Sequence, residues 1–97
     1  MNSIAAAKQI RELSLRLVHK ARASHIASAL SISDLLGVLV ANPKILNLQS
    51  ISDPNRDRLL LSKGHACVAL YSALYIKGFF EESDLFNRNI FIHNKCV

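Results

Sequence analysis

The chain has 97 residues, of which 51% are hydrophobic, and it carries a formal net charge of +5 at pH 7. This length suffices for one small domain and excludes two, and the hydrophobic fraction excludes an intrinsically disordered chain. No apolar run is long enough to cross a bilayer, and the N-terminus lacks a charged start followed by an apolar core. We therefore expect no membrane span and no signal peptide.

Two features of the composition bear on location and partners. Cys67 and Cys96 are too few and too far apart to indicate a disulfide framework or a zinc site, so we expect a cytoplasmic protein.

The net charge of +5 favours a polyanionic partner such as nucleic acid. Lys8, Arg16 and Lys20 share a stripe of the first predicted helix that could contact such a partner. A solvated helix face explains this stripe equally well. A small basic helical module that binds nucleic acid is therefore an alternative function, and nucleic acid is not the favoured partner.

The first predicted helix spans roughly residues 4 to 22, with Ser3 as its N-cap. Its apolar face is defined by residues that recur at three- and four-residue steps, which are Ile10, Leu13, Leu17 and Ala21. Residues 23–30 are small and polar, show no helical face, and predict a loop that contains His25.

A second helix is expected to follow this loop, with Ser31 as its N-cap and Asp34 at the third helical position. Its apolar face consists of Ile32, Leu35, Leu36, Leu39 and Val40. The helix should end at Asn42-Pro43, because proline disfavours the helical conformation in the residue before it.

The most informative stretch is residues 56–66, Arg-Asp-Arg-Leu-Leu-Leu-Ser-Lys-Gly-His-Ala. Its short apolar run, Leu59 to Leu61, is bounded by turn signals and predicts a buried strand. The residues that follow turn the chain and place His65 in the first turn of an apolar helix that ends near Ile76. A helix start has free backbone N–H groups and the positive end of the macrodipole, so it favours anions, phosphate in particular.

The remaining segments predict connections and one short helix. Residues 44–55 contain Pro54 and several Asn and Ser residues, and they predict a surface loop. Gly78 is expected to close the apolar helix as its C′ residue, and the acidic segment from Glu81 begins a further short helix. Residues 87–97 show no periodicity and form an unpatterned tail.

Two segments of the chain resemble one enzyme family. Residues 56–66 resemble the hallmark sequence of the transketolase N-terminal module, which binds thiamine diphosphate. Residues 23–36, Ala-Ser-His-Ile-Ala-Ser-Ala-Leu-Ser-Ile-Ser-Asp-Leu-Leu, resemble the family's other early histidine motif, in the family's order and at about its separation. The resemblance runs from about Ile10 to Phe86. Residues 1–97 are thus identified as the opening portion of a transketolase-like thiamine-diphosphate-binding domain.

The resemblance implies a fold, a reaction and two site histidines. The fold is α/β, a parallel sheet with helices on both faces, to which this chain would contribute mostly helices and one short strand at 59–61. The reaction transfers a two-carbon ketol unit between sugar phosphates with thiamine diphosphate as cofactor. In the family, the histidine that matches His65, beside Gly64, binds the cofactor's diphosphate. The histidine that matches His25 is catalytic and lies near the substrate, where imidazole suits proton transfer.

Some features of the family are missing from this sequence. Family members hold Mg²⁺ and the diphosphate through a Gly-Asp-Gly segment and a downstream Asn, whereas Gly37, Gly64 and Gly78 are not followed by Asp. Ser24 and Ala27 stand where many members have glycine. The implied cofactors are therefore thiamine diphosphate and Mg²⁺, with the Mg²⁺ site outside this chain.

The family's pyrimidine-binding domain is also missing, and the loss of resemblance past Phe86 suggests a truncation or a frameshift. We therefore expect the chain to be inactive alone and to need the remainder of the transketolase, as a second subunit or a missing C-terminal part. Sugar phosphates and further copies of the chain, in a homo-oligomer, are the other implied partners. A non-catalytic structural or dimerisation remnant stays open as a second alternative.

Overall fold

The computed structural model describes residues 2–22, 25–47, 52–79 and 81–85. These residues form the helices α1 (Ser3–Ala21), α2 (Ile26–Ala41), α3 (Cys67–Ile76) and α4 (Glu82–Leu85), and a 3₁₀ turn over Gly64–Ala66. Helices α1, α2 and α3 pack against one another, and α4 contacts α3. The mostly helical character expected from the sequence is confirmed. No strand occurs within the described ranges, so the predicted strand at 59–61 is wrong.

Helix α1 forms where the periodic apolar residues predict it, within one residue at each end. Its N-cap is Asn2 and not Ser3, because the Asn2 side-chain oxygen accepts a hydrogen bond from the Ala5 amide at 2.7 Å. This bond satisfies one of the free amides of the first turn. The predicted core-facing residues are buried except for Ala21, and the helix ends at Arg22, whose φ of 54° is left-handed.

Helix α2 begins earlier than the sequence predicts. Its first residue is Ile26, so most of the predicted loop over 23–30 is helical and Ser31 lies inside the helix instead of capping it. Ala29 is fully buried in the core. Burial against neighbouring helices stabilises a turn whose small side chains show no apolar face in the sequence.

Two helix ends follow the sequence predictions closely. Helix α2 stops two residues before Pro43. Past the end of α3, Gly78 has a φ of 94°, and its amide donates to the Tyr75 carbonyl at 2.9 Å while the Phe79 amide donates to the Leu74 carbonyl at 3.1 Å. This pair of hydrogen bonds is the Schellman motif, which confirms Gly78 as the C′ residue.

Helix α3 and the 3₁₀ turn before it together cover the helix predicted from His65 to Ile76. The helix is buried on most sides, as its apolar composition indicates. The buried residues are Cys67, Val68, Ala69, Leu70, Ser72 and Ala73. The sulfur of Cys67 is disulfide-bonded, which the cysteine count did not predict.

The core lies between α1, α2 and α3, and ion pairs between described residues link helices at its surface. Arg11 Nη2 lies 2.9 Å from Asp34 Oδ1 and connects α1 to α2. Arg16 Nη2 lies 3.6 Å from Glu82 Oε1 and connects α1 to α4. No helix in the described ranges is long and apolar enough to span a membrane.

The segment predicted as a strand, Leu59 to Leu61, has no regular secondary structure. Leu59 packs against the core, whereas Leu60 is 86% exposed. A parallel strand needs hydrogen-bonding neighbours in a sheet, and the described residues supply none. The lack of such neighbours among the described residues explains why residues 59–61 form no strand, while the α/β sheet of the family stays a prediction.

Candidate functional site

His25 lies directly before α2 and occupies its N-cap position. Its backbone, with φ −92° and ψ 49°, is not helical, and its side chain makes no cap hydrogen bond. The imidazole is exposed. The helix therefore begins beside an accessible ring, and the amides of its first turn have no intrahelical acceptors.

His65 is the middle residue of the 3₁₀ turn that leads into α3. Ala66 is fully buried and anchors the turn to the core, while His65 is exposed. Lys63 precedes the turn and makes no cap hydrogen bond through its side chain. A Cβ added at Gly64 would meet no heavy atom within 4 Å, so this side of the turn faces open space.

The two histidines come from distant parts of the sequence and meet in space. Their ring centroids are 4.3 Å apart and their ring planes are inclined by 5°, so the imidazoles are stacked. This contact accompanies the packing of α2 on the 3₁₀ turn. The structure thus brings together His25 and His65, with Gly64 directly before His65 in the chain.

The surroundings of the stacked pair favour an anionic ligand. Helix α2 and the 3₁₀ turn both begin here, and a helix start carries partial positive charge on its free N–H groups. A neutral imidazole offers one N–H donor and a protonated one offers two. The exposed Lys63 adds a positive charge beside the turn. A diphosphate, with several acceptor oxygens, matches this set of donors.

The same residues do not fit a divalent metal ion. No group of three or more His, Cys, Asp or Glu side chains in the described part of the chain could hold one. The lone pairs of imidazole nitrogens lie in the ring plane, so two parallel rings do not direct them at one ion. Mg²⁺ also prefers oxygen ligands, which imidazole does not supply. A Mg²⁺ site outside this chain stays a prediction.

Sequence reasoning missed two features of this region. It assigned His25 and His65 separate roles and did not predict that their rings stack, because the stack depends on how the helices pack. The sequence also did not predict the role of Gly37, a buried residue of α2 that lies against the backbone of α1. Its only sequence signal is a glycine inside a helical pattern, which often has a packing reason.

The family described as transketolase, thiamine diphosphate binding domain, matches residues 2–92. This chain belongs to that family. It is 40% identical over 84 residues to the 6-deoxy-6-sulfo-D-fructose transketolase subunit SqwG of Clostridium sp. (strain MSTE9), a match that covers 84% of this chain and 30% of that protein.

Two further relatives are similar over most of the chain. Transketolase 1 of Escherichia coli (strain K12) is 36% identical over 73 residues, which cover 75% of this chain and 11% of that protein. The transketolase of Homo sapiens is 32% identical over 81 residues, which cover 84% of this chain and 13% of that protein. The chain therefore spans less than a third of the length of each of these relatives. No solved structure matches the chain.

Proposed function

We propose that this chain is the N-terminal part of a transketolase-like enzyme that transfers a two-carbon ketol unit between sugar phosphates. The observation that carries the proposal is the stacking of His25 on His65 where two helical segments begin. Membership of the thiamine-diphosphate-binding family supports it. When bound, thiamine diphosphate supplies the nucleophilic carbon that this carbonyl chemistry needs.

His65 and its turn hold the diphosphate group in this proposal. A ring N–H of His65 would donate to a diphosphate oxygen, and backbone N–H groups at the start of the turn would donate beside it, whereas the Ala66 amide already donates to the Lys63 carbonyl. The open space next to Gly64 lets the group approach the backbone closely. The exposed Lys63 adds long-range attraction for the same charge.

His25 moves a proton between a ring nitrogen and an oxygen of the sugar. An imidazole can serve as both donor and acceptor, so one ring can take a proton in one step and return it in another. Stacking on His65 holds the His25 ring in place although its side chain makes no cap hydrogen bond. A fixed ring lowers the entropic cost of reaching the reactive geometry.

The rest of the site comes from outside this chain in our proposal. None of the three glycines of this chain is followed by Asp, so the family's Gly-Asp-Gly segment is missing and we place the Mg²⁺ ligands in the remainder of the enzyme. The Clostridium relative is named a transketolase subunit. By analogy, this chain works with a second subunit or a further part of the same protein, within a homo-oligomer, and is inactive alone.

Calorimetric titration of the 97-residue chain with thiamine diphosphate, with and without Mg²⁺, tests the cofactor part. We expect weak saturable binding that falls about ten-fold in His65→Ala, because the variant removes one hydrogen-bond donor to a charged group. Lys8→Ala changes an exposed residue of α1 and should bind like the wild type. A chain that is helical by circular dichroism yet shows no saturable binding would contradict a preformed diphosphate site.

A chimera tests the catalytic part. Residues 2–85 of this chain replace the matching segment of the Escherichia coli transketolase, and ketol transfer is measured. We expect the chimera to be active, and His25→Gln to lower its kcat about 10²-fold with little change in the cofactor dissociation constant. Equal kcat values with and without this substitution would rule out proton transfer by His25.

A further inference from the structure

Helices α1 and α2 approach each other backbone to backbone at Gly37, which is buried within α2. A Cβ placed on Gly37 would lie 2.8 Å from the Ser3 carbonyl oxygen and 2.9 Å from the Ala7 amide nitrogen. It would also lie 3.0 Å from the Ala7 Cβ. Backbone atoms cannot rotate away as the end of a long side chain can. Any residue other than glycine therefore requires α2 to move away from α1.

Helix α1 supports both histidines of the candidate site. It packs against α2 and against α3, and α2 also packs on the 3₁₀ turn. His25 directly precedes α2, and His65 lies in the turn that continues into α3. The distance of 4.3 Å between the two rings is therefore set by how α2 and α3 sit on α1.

We propose that Gly37 is a positioning residue for His25. Because Gly37 has no side chain, α2 can pack close enough to α1 for the His25 ring to stack on the His65 ring. An added methyl group displaces α2 by at least a few tenths of an ångström, and a continuous helix carries this displacement to its first residue. Gly37 acts only through the helix, so its relevance to catalysis rests on the proposed function, whereas its effect on the ring pair does not.

The test compares Gly37→Ala with the matched control Gly78→Ala in the full chain. A Cβ at Gly78 would meet no heavy atom within 4 Å, but its φ of +94° strains any other residue. The control therefore loses stability without displacing α2. Nuclear Overhauser effects between the ring protons of His25 and His65 report the stack, and circular dichroism reports the fold. We expect these ring contacts in the wild type and in Gly78→Ala, and their loss or several-fold weakening in Gly37→Ala.

If Gly37→Ala does not fold, a second variant tests whether the contact between α1 and α2 controls the stacking of the two rings. Ala7→Val adds two methyl groups beside Gly37 from the side of α1 and should weaken the ring contacts in the same direction. Unchanged ring contacts in folded Gly37→Ala, or in Ala7→Val when the first variant unfolds, overturn the proposal. Equal loss in Gly78→Ala overturns it too, because lower stability alone would then explain the change. None of these outcomes depends on cofactor binding.

Discussion

Among the described residues, three serines are fully buried in the helical core, one each on α1, α2 and α3. The hydroxyl groups of Ser33 and Ser72 donate to carbonyl oxygens four residues earlier in their own helices, at 2.8 Å and 2.7 Å. Ser14 Oγ has no hydrogen-bond partner among the described residues. A buried hydroxyl without a partner destabilises the folded state, because it loses its hydrogen bonds to water.

We expect Ser14→Ala to raise the free energy of unfolding by about 1 kcal/mol, because it removes this hydroxyl and keeps the Cβ in the core. Urea unfolding followed by circular dichroism measures the change. Ser33→Ala is the matched control: it removes a hydroxyl that has a partner and should not stabilise the chain. A Ser14→Ala variant that unfolds at lower urea than the wild type would contradict the prediction.

Tyr71 should make the stability of the chain sensitive to alkaline pH. Burial raises the pKa of the Tyr71 phenol above its ordinary value of 10.0. As the pH rises, the phenol therefore ionises first in the unfolded chain, which shifts the equilibrium toward unfolding. Ionisation of Tyr71 therefore leaves the free energy of unfolding unchanged below pH 10.0 and lowers it as the pH rises from there through the higher pKa of the folded state.

The substitution Tyr71→Phe should reduce this alkaline loss of stability, since phenylalanine cannot ionise. Free energies of unfolding measured on both sides of the ordinary tyrosine pKa, for the wild type and the variant, provide the comparison. If both proteins lose stability at the same rate with rising pH, Tyr71 is not the responsible group.

At the scale of the element, the end of α3 depends on the left-handed backbone of Gly78. We expect Gly78→Ala to lower the free energy of unfolding by about 1 kcal/mol, because a Cβ is strained in this conformation. Urea unfolding measures the loss. Lys77→Ala changes a neighbouring residue with a right-handed φ of −75° and should have little effect. Equal losses in the two variants would show that the backbone conformation is not the cause.

The helices also differ in how far their own sequences specify them. Helix α1 carries its apolar stripe and its exposed charges within one segment, so its bounds could be predicted to within one residue, although its N-cap is Asn2 and not the predicted Ser3. The first turn of α2 lacks these signals. Its stability comes from the burial of Ala29 among other helices, and that burial cannot be seen in the segment itself.

In the molecule as a whole, helices α1, α2 and α3 form the core, and the described residues include no strand that could pair with residues 59–61. We expect the amides of residues 59–61 to exchange rapidly with deuterium in the chain alone, while those in the middle of α1 are protected. Hydrogen exchange monitored by nuclear magnetic resonance measures both in one sample. Protection of residues 59–61 equal to that of α1 would mean that the chain already supplies a strand partner, for example by self-association.

Local sequence patterns predict helix α1, the stop before Pro43 and the Gly78 terminus, and they include the histidine motifs that resemble the transketolase family. These features could be predicted because each depends on residues a few positions apart, through periodicity, capping, φ restrictions or a contiguous motif. The start of α2, the fit of Gly37 against α1 and the stacking of His25 on His65 follow from the packing of the helices. Each of these depends on contacts between segments far apart in the chain, and such contacts arise only when the helices pack.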